Sequence, residues 1–331
     1  MPLFMKRTRW KNSLLIFTLC VFLIQCHSNP NGVIPNKTFL STVALDESET
    51  ALYNKKEVIY GRTYGTALTM EIFTPKSGAN GKGIVFFVSE GWYSDHDKIE
   101  GNVSLYIEPL LKKGYTVFAV VHGSNPKFTL EENVAQAQRA VRFIRFHAAA
   151  FGIDGQHLGA TGDSAGGHLS LMVGSFIPGN RYAHDPVDQT SSQVQAVVAF
   201  FPPTDFLNWG QTGHHMLGRH PKVPLLGAFQ FQKLDASTNV LELIKDSSQI
   251  LTIAKSLSPI YQVNERSAPT LIIYGDQDSY IPTQQSEAFA AKLKGFHVPC
   301  HVIVEKGGEH DATTIKNNFG EALLWMDKYL K

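Results

Sequence analysis

Cysteine is scarce in this chain. Three occur in 331 residues, and two of them, Cys20 and Cys26, fall in the N-terminal segment. Cys300 is therefore alone in the body, which excludes a disulfide framework there and leaves stability to the core. Its place beside the apolar run 301–304 points to a buried structural thiol rather than a nucleophile. Charge of one sign is lacking as well. A formal net charge of +1 leaves no basic excess to neutralise phosphates, so no nucleic-acid partner is expected. Repeats and low-complexity tracts are absent, and no apolar run is long enough to span a bilayer comfortably. His214, His215 and His220 cluster, but no cysteine or carboxylate beside them completes a ligand set. No metal is expected, and these histidines read as surface or lid residues.

What is present is an ordinary globular composition, 43% hydrophobic and 18% charged, ample for one large core. The N-terminal segment differs from the rest. Lys6, Arg7, Arg9 and Lys11 form a basic head, and an apolar run over 14–24 follows, broken only by Thr18 and Cys20. That is the shape of a signal peptide over 1–26. Leu23-Ile24-Gln25-Cys26 resembles a bacterial lipobox, with Cys26 as the lipidated residue and the point of membrane attachment. Gln25 departs from the small residue usual at its position. Residues 27–45 read as a polar tether, and 46–331 as the globular domain. The expectation is an exported protein, periplasmic or an outer-membrane lipoprotein, alternatively secreted. A plain cleaved signal or an anchor helix stays open.

From about residue 58 the chain alternates short β-rich runs with helical patterns, the mark of an α/β domain with helices on both faces of a sheet. Runs 57–64 and 67–73 read as an antiparallel hairpin. Runs 83–88 and 115–121 are continuously apolar, as strands buried on both faces are. Strands are also expected at 157–161, 196–201, 270–274 and 301–304, and helices at 103–111, 165–176 and 284–293. The clearest helix places Val134, Ala137, Val141 and Ile144 on one stripe, with Thr129 and Glu132 as a capping box and Gly152 as its stop. A last helix carries Ile315, Phe319, Leu323 and Met326 on one face. The stretch 205–258 breaks the alternation. It shows no clear strand and reads as a mainly helical, lid-like insertion over one end of the sheet.

Gly162-Asp163-Ser164-Ala165-Gly166 matches G-x-S-x-G between a strand and a helix, the context a nucleophile elbow requires. The glycines leave room for neighbouring backbone, and the helix N-terminus offers free N–H groups to negative charge. A serine hydroxyl needs a base oriented by an acid. Two carboxylates follow the strand at 270–274. Asp278 lies farther into its loop, where it reaches an imidazole from the next strand's loop, while Asp276 suits a backbone tie. His310 is the only histidine after the last strand, and Asp311 suits a helix cap. The oxyanion hole needs two N–H donors. Ala165 supplies one, and the loop after 83–88 the other, with Gly91 the first choice and Glu90 the second. Trp92 reads as a wall of the acyl pocket or as packing. His122, at the end of a strand, reads as a pocket residue or a hydrogen-bonded core histidine. Asp205 suits a role at the base of the insertion.

These motifs, with Gly167-His168 after the serine, Gly152-Ile153-Asp154 before it and Gly275-Asp276-Gln277-Asp278, resemble the acetyl-esterase and hormone-sensitive-lipase-like branch of the α/β hydrolases, close to bacterial carbohydrate (xylan) esterases. The resemblance runs from about residue 58 to the C-terminus. It implies an α/β-hydrolase fold with a mostly parallel eight-stranded sheet. It also implies cofactor-free ester hydrolysis through Ser164, Asp278 and His310, on short-acyl or sugar-linked esters. One departure stands out: the family's His-Gly-Gly-Gly-Trp loop reads Val88-Ser89-Glu90-Gly91-Trp92 here. The competing readings are a serine peptidase of the dipeptidyl-peptidase-like group and a non-catalytic binding protein that retains the fold.

Overall fold

The computed structural model describes residues 47–175, 178–220, 222 and 225–331. The signal segment 1–26, Cys26 and the tether up to residue 45 lie outside the described residues.

Six strands form the parallel heart of the sheet: β4 (Gly83–Val88), β5 (Thr116–Val121), β6 (Leu158–Asp163), β7 (Ala196–Phe200), β10 (Thr270–Gly275) and β11 (Cys300–Glu305). Every residue of β4, β7 and β10 is buried, because helices cover both faces and leave no polar side. The hairpin β2 (Tyr53–Thr63) and β3 (Thr66–Pro75) joins antiparallel through β3, giving the eight expected strands. A short ninth, β1 (Glu47–Glu49), extends that edge. The order is β1-β2-β3-β5-β4-β6-β7-β10-β11. The chain leaves β4 toward β5 and returns to β6 on β4's other side, so a crevice opens at their C-terminal ends, where α/β sheets bind ligands.

The covering helices include α1 (Asp97–Asn102) and α2 (Glu108–Lys112), joined by a π-helical turn over Val103–Ile107. Next comes α3 (Leu130–Phe146), whose start is closed by the Thr129 N–H donating to Glu132 Oε2 at 2.7 Å. Then follow α4 (Ser164–Gly174), α6 (Thr283–Gly295) and α7 (Ala312–Tyr329). Gly152 sits at φ +67 and ends the 3-10 turn that prolongs α3's stripe.

The insertion differs from the expectation of a mainly helical segment. Among the described residues it holds one α-helix, α5 (Ser247–Ser256), and a 3-10 turn at Leu226–Phe229. Between them lies an antiparallel hairpin of β8 (Gln232–Asp235) and β9 (Val240–Leu243), and the other described residues form turns and irregular backbone. The four residues of β9 are all exposed, so the burial that gives a strand its alternating pattern is missing there. Asp205 organises the insertion's base. Its carboxylate accepts from the Leu207 N–H at 3.0 Å, Asn208 Nδ2 at 2.8 Å and the Tyr261 hydroxyl at 3.1 Å.

Candidate active site

Ser164 stands at the junction of β6 and α4 with φ +49, a left-handed conformation that costs a side-chain-bearing residue energy. The turn closes because its neighbours lack side chains. A Cβ at Gly166 would lie 2.4 Å from the Phe87 carbonyl oxygen of β4, and one at Gly162 2.7 Å from the Gly166 carbonyl carbon. The first N–H groups of α4, Ala165 among them, have no partner within the helix and give this end a partial positive charge.

Asp278 follows β10. Its Oδ1 accepts the N–H groups of Tyr280 at 2.8 Å and Ile281 at 2.9 Å. Its Oδ2 accepts from His310 Nδ1 at 2.8 Å, with the carboxylate side chain 1% exposed and the imidazole 17%. Asp276 instead ties its turn to the His310 loop, taking the Gly307 N–H at 2.7 Å. The His310 loop lies directly on the end of β10: a Cβ at Gly275 would meet the Gly308 carbonyl oxygen at 2.1 Å. Asp311 caps α7 by accepting the N–H groups of Thr313 and Thr314, both at 3.0 Å.

Ser164, Ala165, Gly91, Trp92 and His310 line one cavity of about 670 Å³. Phe201, Pro203, Met216 and Leu225 add apolar wall, and Asn102, Asn125 and His220 add polar wall. Leu225, from the insertion, packs over the oxyanion loop, since a Cβ on Gly91 would lie 2.7 Å from its Cδ2.

In that loop, Glu90 and Tyr93 pair across a two-residue turn, each N–H donating to the other's carbonyl at 2.9 Å. This corrects the reading of Glu90 as an oxyanion donor, because its N–H is already spent on Tyr93. Its carboxylate pairs with Lys98 Nζ at 2.5 Å, and Glu90 also lines the cavity. Gly91 remains, at φ +56, and among the described residues its N–H has no bonded acceptor. Trp92 both lines the cavity and anchors the loop. It is 1% exposed, its Nε1–H donates to His168 Nδ1 at 3.3 Å, and its ring meets those of His168, Phe206 and Phe229 edge-on.

His122 is not a pocket residue, which corrects that reading. It is buried behind the loop and not among the cavity's lining residues. Its Nδ1–H donates to the Gly123 carbonyl at 2.6 Å, and its Nε2 accepts from the Ser89 hydroxyl at 2.8 Å. Desolvation, only partly offset by the Gly123 bond, lowers its pKa to about 4 and keeps it neutral. His168 is lowered to about 4 by the same burial, with Nε2–H donating to the Leu257 carbonyl at 2.8 Å.

Several residues at the site escaped the sequence reading. Burial raises the Asp163 pKa, opposed by a 2.9 Å hydrogen bond from the Tyr106 hydroxyl and by nearby His310. Tyr106 comes from the π-helical turn, for which the sequence carries no signal. The Phe201 ring lies 4.2 Å from that of His310, and Phe201 itself is at φ +37. Pro202-Pro203 directly after it was the available hint. His220 donates from Nε2 to the Tyr280 carbonyl at 2.8 Å, while His214 contacts Gln211. Among the described residues, no three histidines, cysteines or carboxylates are grouped to hold a metal. Cys300 is half-buried, and desolvation pushes its thiol pKa up to about 11, away from nucleophilic character.

Known proteins fit this picture. The probable carboxylic ester hydrolase LipM of Mycobacterium tuberculosis is 24% identical over 72% of this chain and 51% of its own length. The chain spans about half the length of the curated relatives it matches. A truncated carbohydrate esterase from gut microbiota superposes with a TM-score of 0.66 at 23% identity, over 86% of this chain and 98% of that one. An acetyl ester-xyloside bifunctional hydrolase from Caldicellulosiruptor lactoaceticus gives 0.61 at 19% identity, over 83% and 93%. At such identities the structures show a shared fold. The BD-FAE family model matches residues 70–293, so the chain belongs to the BD-FAE family and has the α/β-hydrolase fold.

Proposed function

We propose that the protein is a serine carboxylic ester hydrolase that works through an acyl-enzyme on short-acyl or sugar-linked esters. One observation carries this reading: strained Ser164 and His310 open on one cavity, and His310 is bonded through Nδ1 to the buried Asp278. With Nδ1–H engaged, the Nε2 lone pair of His310 is the free base. It takes the Ser164 proton as Oγ adds to the ester carbonyl. The N–H groups of Ala165 and Gly91 receive the charge that develops on the carbonyl oxygen. His310 then returns the proton to the departing alcohol, leaving the acyl group on Ser164. Water, activated by the same imidazole, releases the acid and restores the serine.

The apolar wall of Trp92, Phe201, Met216 and Leu225 suits an acyl chain, and the Asn102–Asn125 side suits a polar alcohol. The names of the carbohydrate esterase and the acetyl ester-xyloside hydrolase support a sugar-linked alcohol. From the N-terminal sequence we also propose export, with Cys26 lipidated.

Hydrolysis of p-nitrophenyl esters from acetyl to dodecanoyl, with Ser164→Ala alongside, tests the reading. Turnover of the short esters that the substitution abolishes is the expected result. Turnover only of aminoacyl-naphthylamides would favour a peptidase. No turnover and no labelling by a fluorophosphonate would favour a binding protein.

A further inference from the structure

The turn that presents Gly91 adopts a conformation its sequence disfavours. Trp92, a bulky residue, sits at φ +61 beside Gly91 at φ +56. A strained turn of this kind persists only where its surroundings over-determine it. Packing of the Trp92 ring and its bond to His168 hold the turn's middle. Its two ends are held by side chains from a single segment just past β5. At the start, the Ser89 hydroxyl donates to His122 Nε2 at 2.8 Å, and His122 Nδ1–H is anchored on the Gly123 carbonyl at 2.6 Å. At the end, the Ser94 N–H donates to Ser124 Oγ at 2.8 Å, and that hydroxyl donates back to the Ser94 carbonyl at 2.7 Å. The segment is itself fixed from α3. Gln136 Oε1 accepts the Gly123 N–H at 2.7 Å, and Asn133 Nδ2 donates to the Gly123 carbonyl at 2.6 Å.

Ser89, Ser94, His122 and Ser124 do not line the cavity, so they have no direct part in binding. Burying a pair such as His122 and Ser89 costs desolvation that an apolar contact would avoid. Directional hydrogen bonds give positional precision in return, which apolar contacts do not supply.

We propose that His122 and Ser124 are positioning residues for the oxyanion hole: acting through Ser89 and Ser94, they fix the strained turn so that the Gly91 N–H meets the developing oxyanion. This rests on the ester-hydrolase reading above. The clamps are displaced from the reacting atoms, and the Trp92 ring keeps its own packing, so their loss shifts the Gly91 donor and leaves the wall of Phe201, Met216 and Leu225 in place. The effect therefore falls on kcat rather than KM.

The test compares wild type with Ser89→Ala, Ser124→Ala and Ser89→Thr. It measures kcat and KM on p-nitrophenyl acetate and the inhibition constant of an aryl trifluoromethyl ketone. In the inhibitor complex Ser164 Oγ bonds to the ketone carbon, its proton passes to His310, and the carbonyl oxygen becomes an oxyanion. Each alanine variant should lose about 10–100-fold in kcat, with KM within about threefold and ketone affinity falling in step with kcat. Ser89→Thr, which keeps the hydroxyl, should recover most of the loss. The proposal is overturned if both alanine variants keep kcat within about twofold of wild type, or if kcat falls while ketone affinity is unchanged. Two independent clamps are probed so that one variant's failure to fold leaves the other as the test. A wild-type protein that neither turns over the ester nor binds the ketone removes the ester-hydrolase reading, and this proposal with it.

Discussion

Mild acid should destabilise this fold through two buried histidines. His122 and His168 are 3% and 0% exposed, and burial lowers each pKa from 6.5 to about 4. In His168 both ring nitrogens are committed: Nε2–H donates to the Leu257 carbonyl and Nδ1 accepts the Trp92 indole N–H. A proton on Nδ1 would set donor against donor. The unfolded chain takes up protons below pH 6.5 and the folded one does not until about pH 4. Stability is therefore complete above the unfolded pKa, falls through that window, and levels off below it. Each histidine should cost about 2 kcal/mol by pH 5 and about 3 kcal/mol by pH 4. The two together remove about 4 kcal/mol at pH 5, a large share of the roughly 5–15 kcal/mol typical of a domain. His96, raised by its hydrogen bond to Glu71, works in the opposite sense and trims the loss. The assay is urea unfolding followed by tryptophan fluorescence at about pH 7.5 and about pH 5, for wild type and His168→Gln. Glutamine offers a donor and an acceptor but does not titrate, so the variant should lose about 2 kcal/mol less than wild type over the interval. Equal losses in the two proteins would refute the assignment.

Other outcomes follow from the same geometry. Asp278→Asn should lower kcat by about 10³–10⁴-fold with the fold intact, whereas Asp276→Asn, whose amide oxygen can still accept the Gly307 N–H, should change kcat by less than about tenfold. Steady-state kinetics with circular dichroism separates the two. Trp92→Ala should cost about 3–5 kcal/mol of unfolding free energy, read by denaturant midpoint, because it empties the aromatic cluster with Phe206 and Phe229. If Cys26 is lipidated, Cys26→Ala should move the protein from the membrane fraction to the soluble one on cell fractionation, with esterase activity unchanged.

Much of the fold was legible because parallel strands buried on both faces write themselves as unbroken apolar runs. Gly83–Val88 appears in the structure with the limits read from its sequence. The contact between Asp278 and His310 was legible too, since it follows from which loops end neighbouring strands. What stayed hidden lacked a pattern or defied local preference. The β8–β9 hairpin buries no face and so shows no alternation. Glu90 looked free to donate because a Gly-Trp pair with both φ values positive is not what a tryptophan favours. Packing around Trp92 and the side-chain bonds at both ends hold that turn, and the turn consumes the Glu90 amide. His122 was ambiguous for a related reason. Its partner Ser89 lies on the adjacent strand's loop, a contact that sequence spacing does not reveal.

The central claim is that Ser164 attacks an acyl carbon, and the most direct measurement is the site of covalent capture. The protein would be treated with an alkyl fluorophosphonate, digested and mapped by mass spectrometry, with loss of p-nitrophenyl acetate turnover followed in parallel. One phosphonyl group on the peptide containing Ser164, with inactivation tracking its occupancy, is the predicted result. Turnover that persists after full modification of Ser164, or inactivation with the label on another residue, would contradict the account.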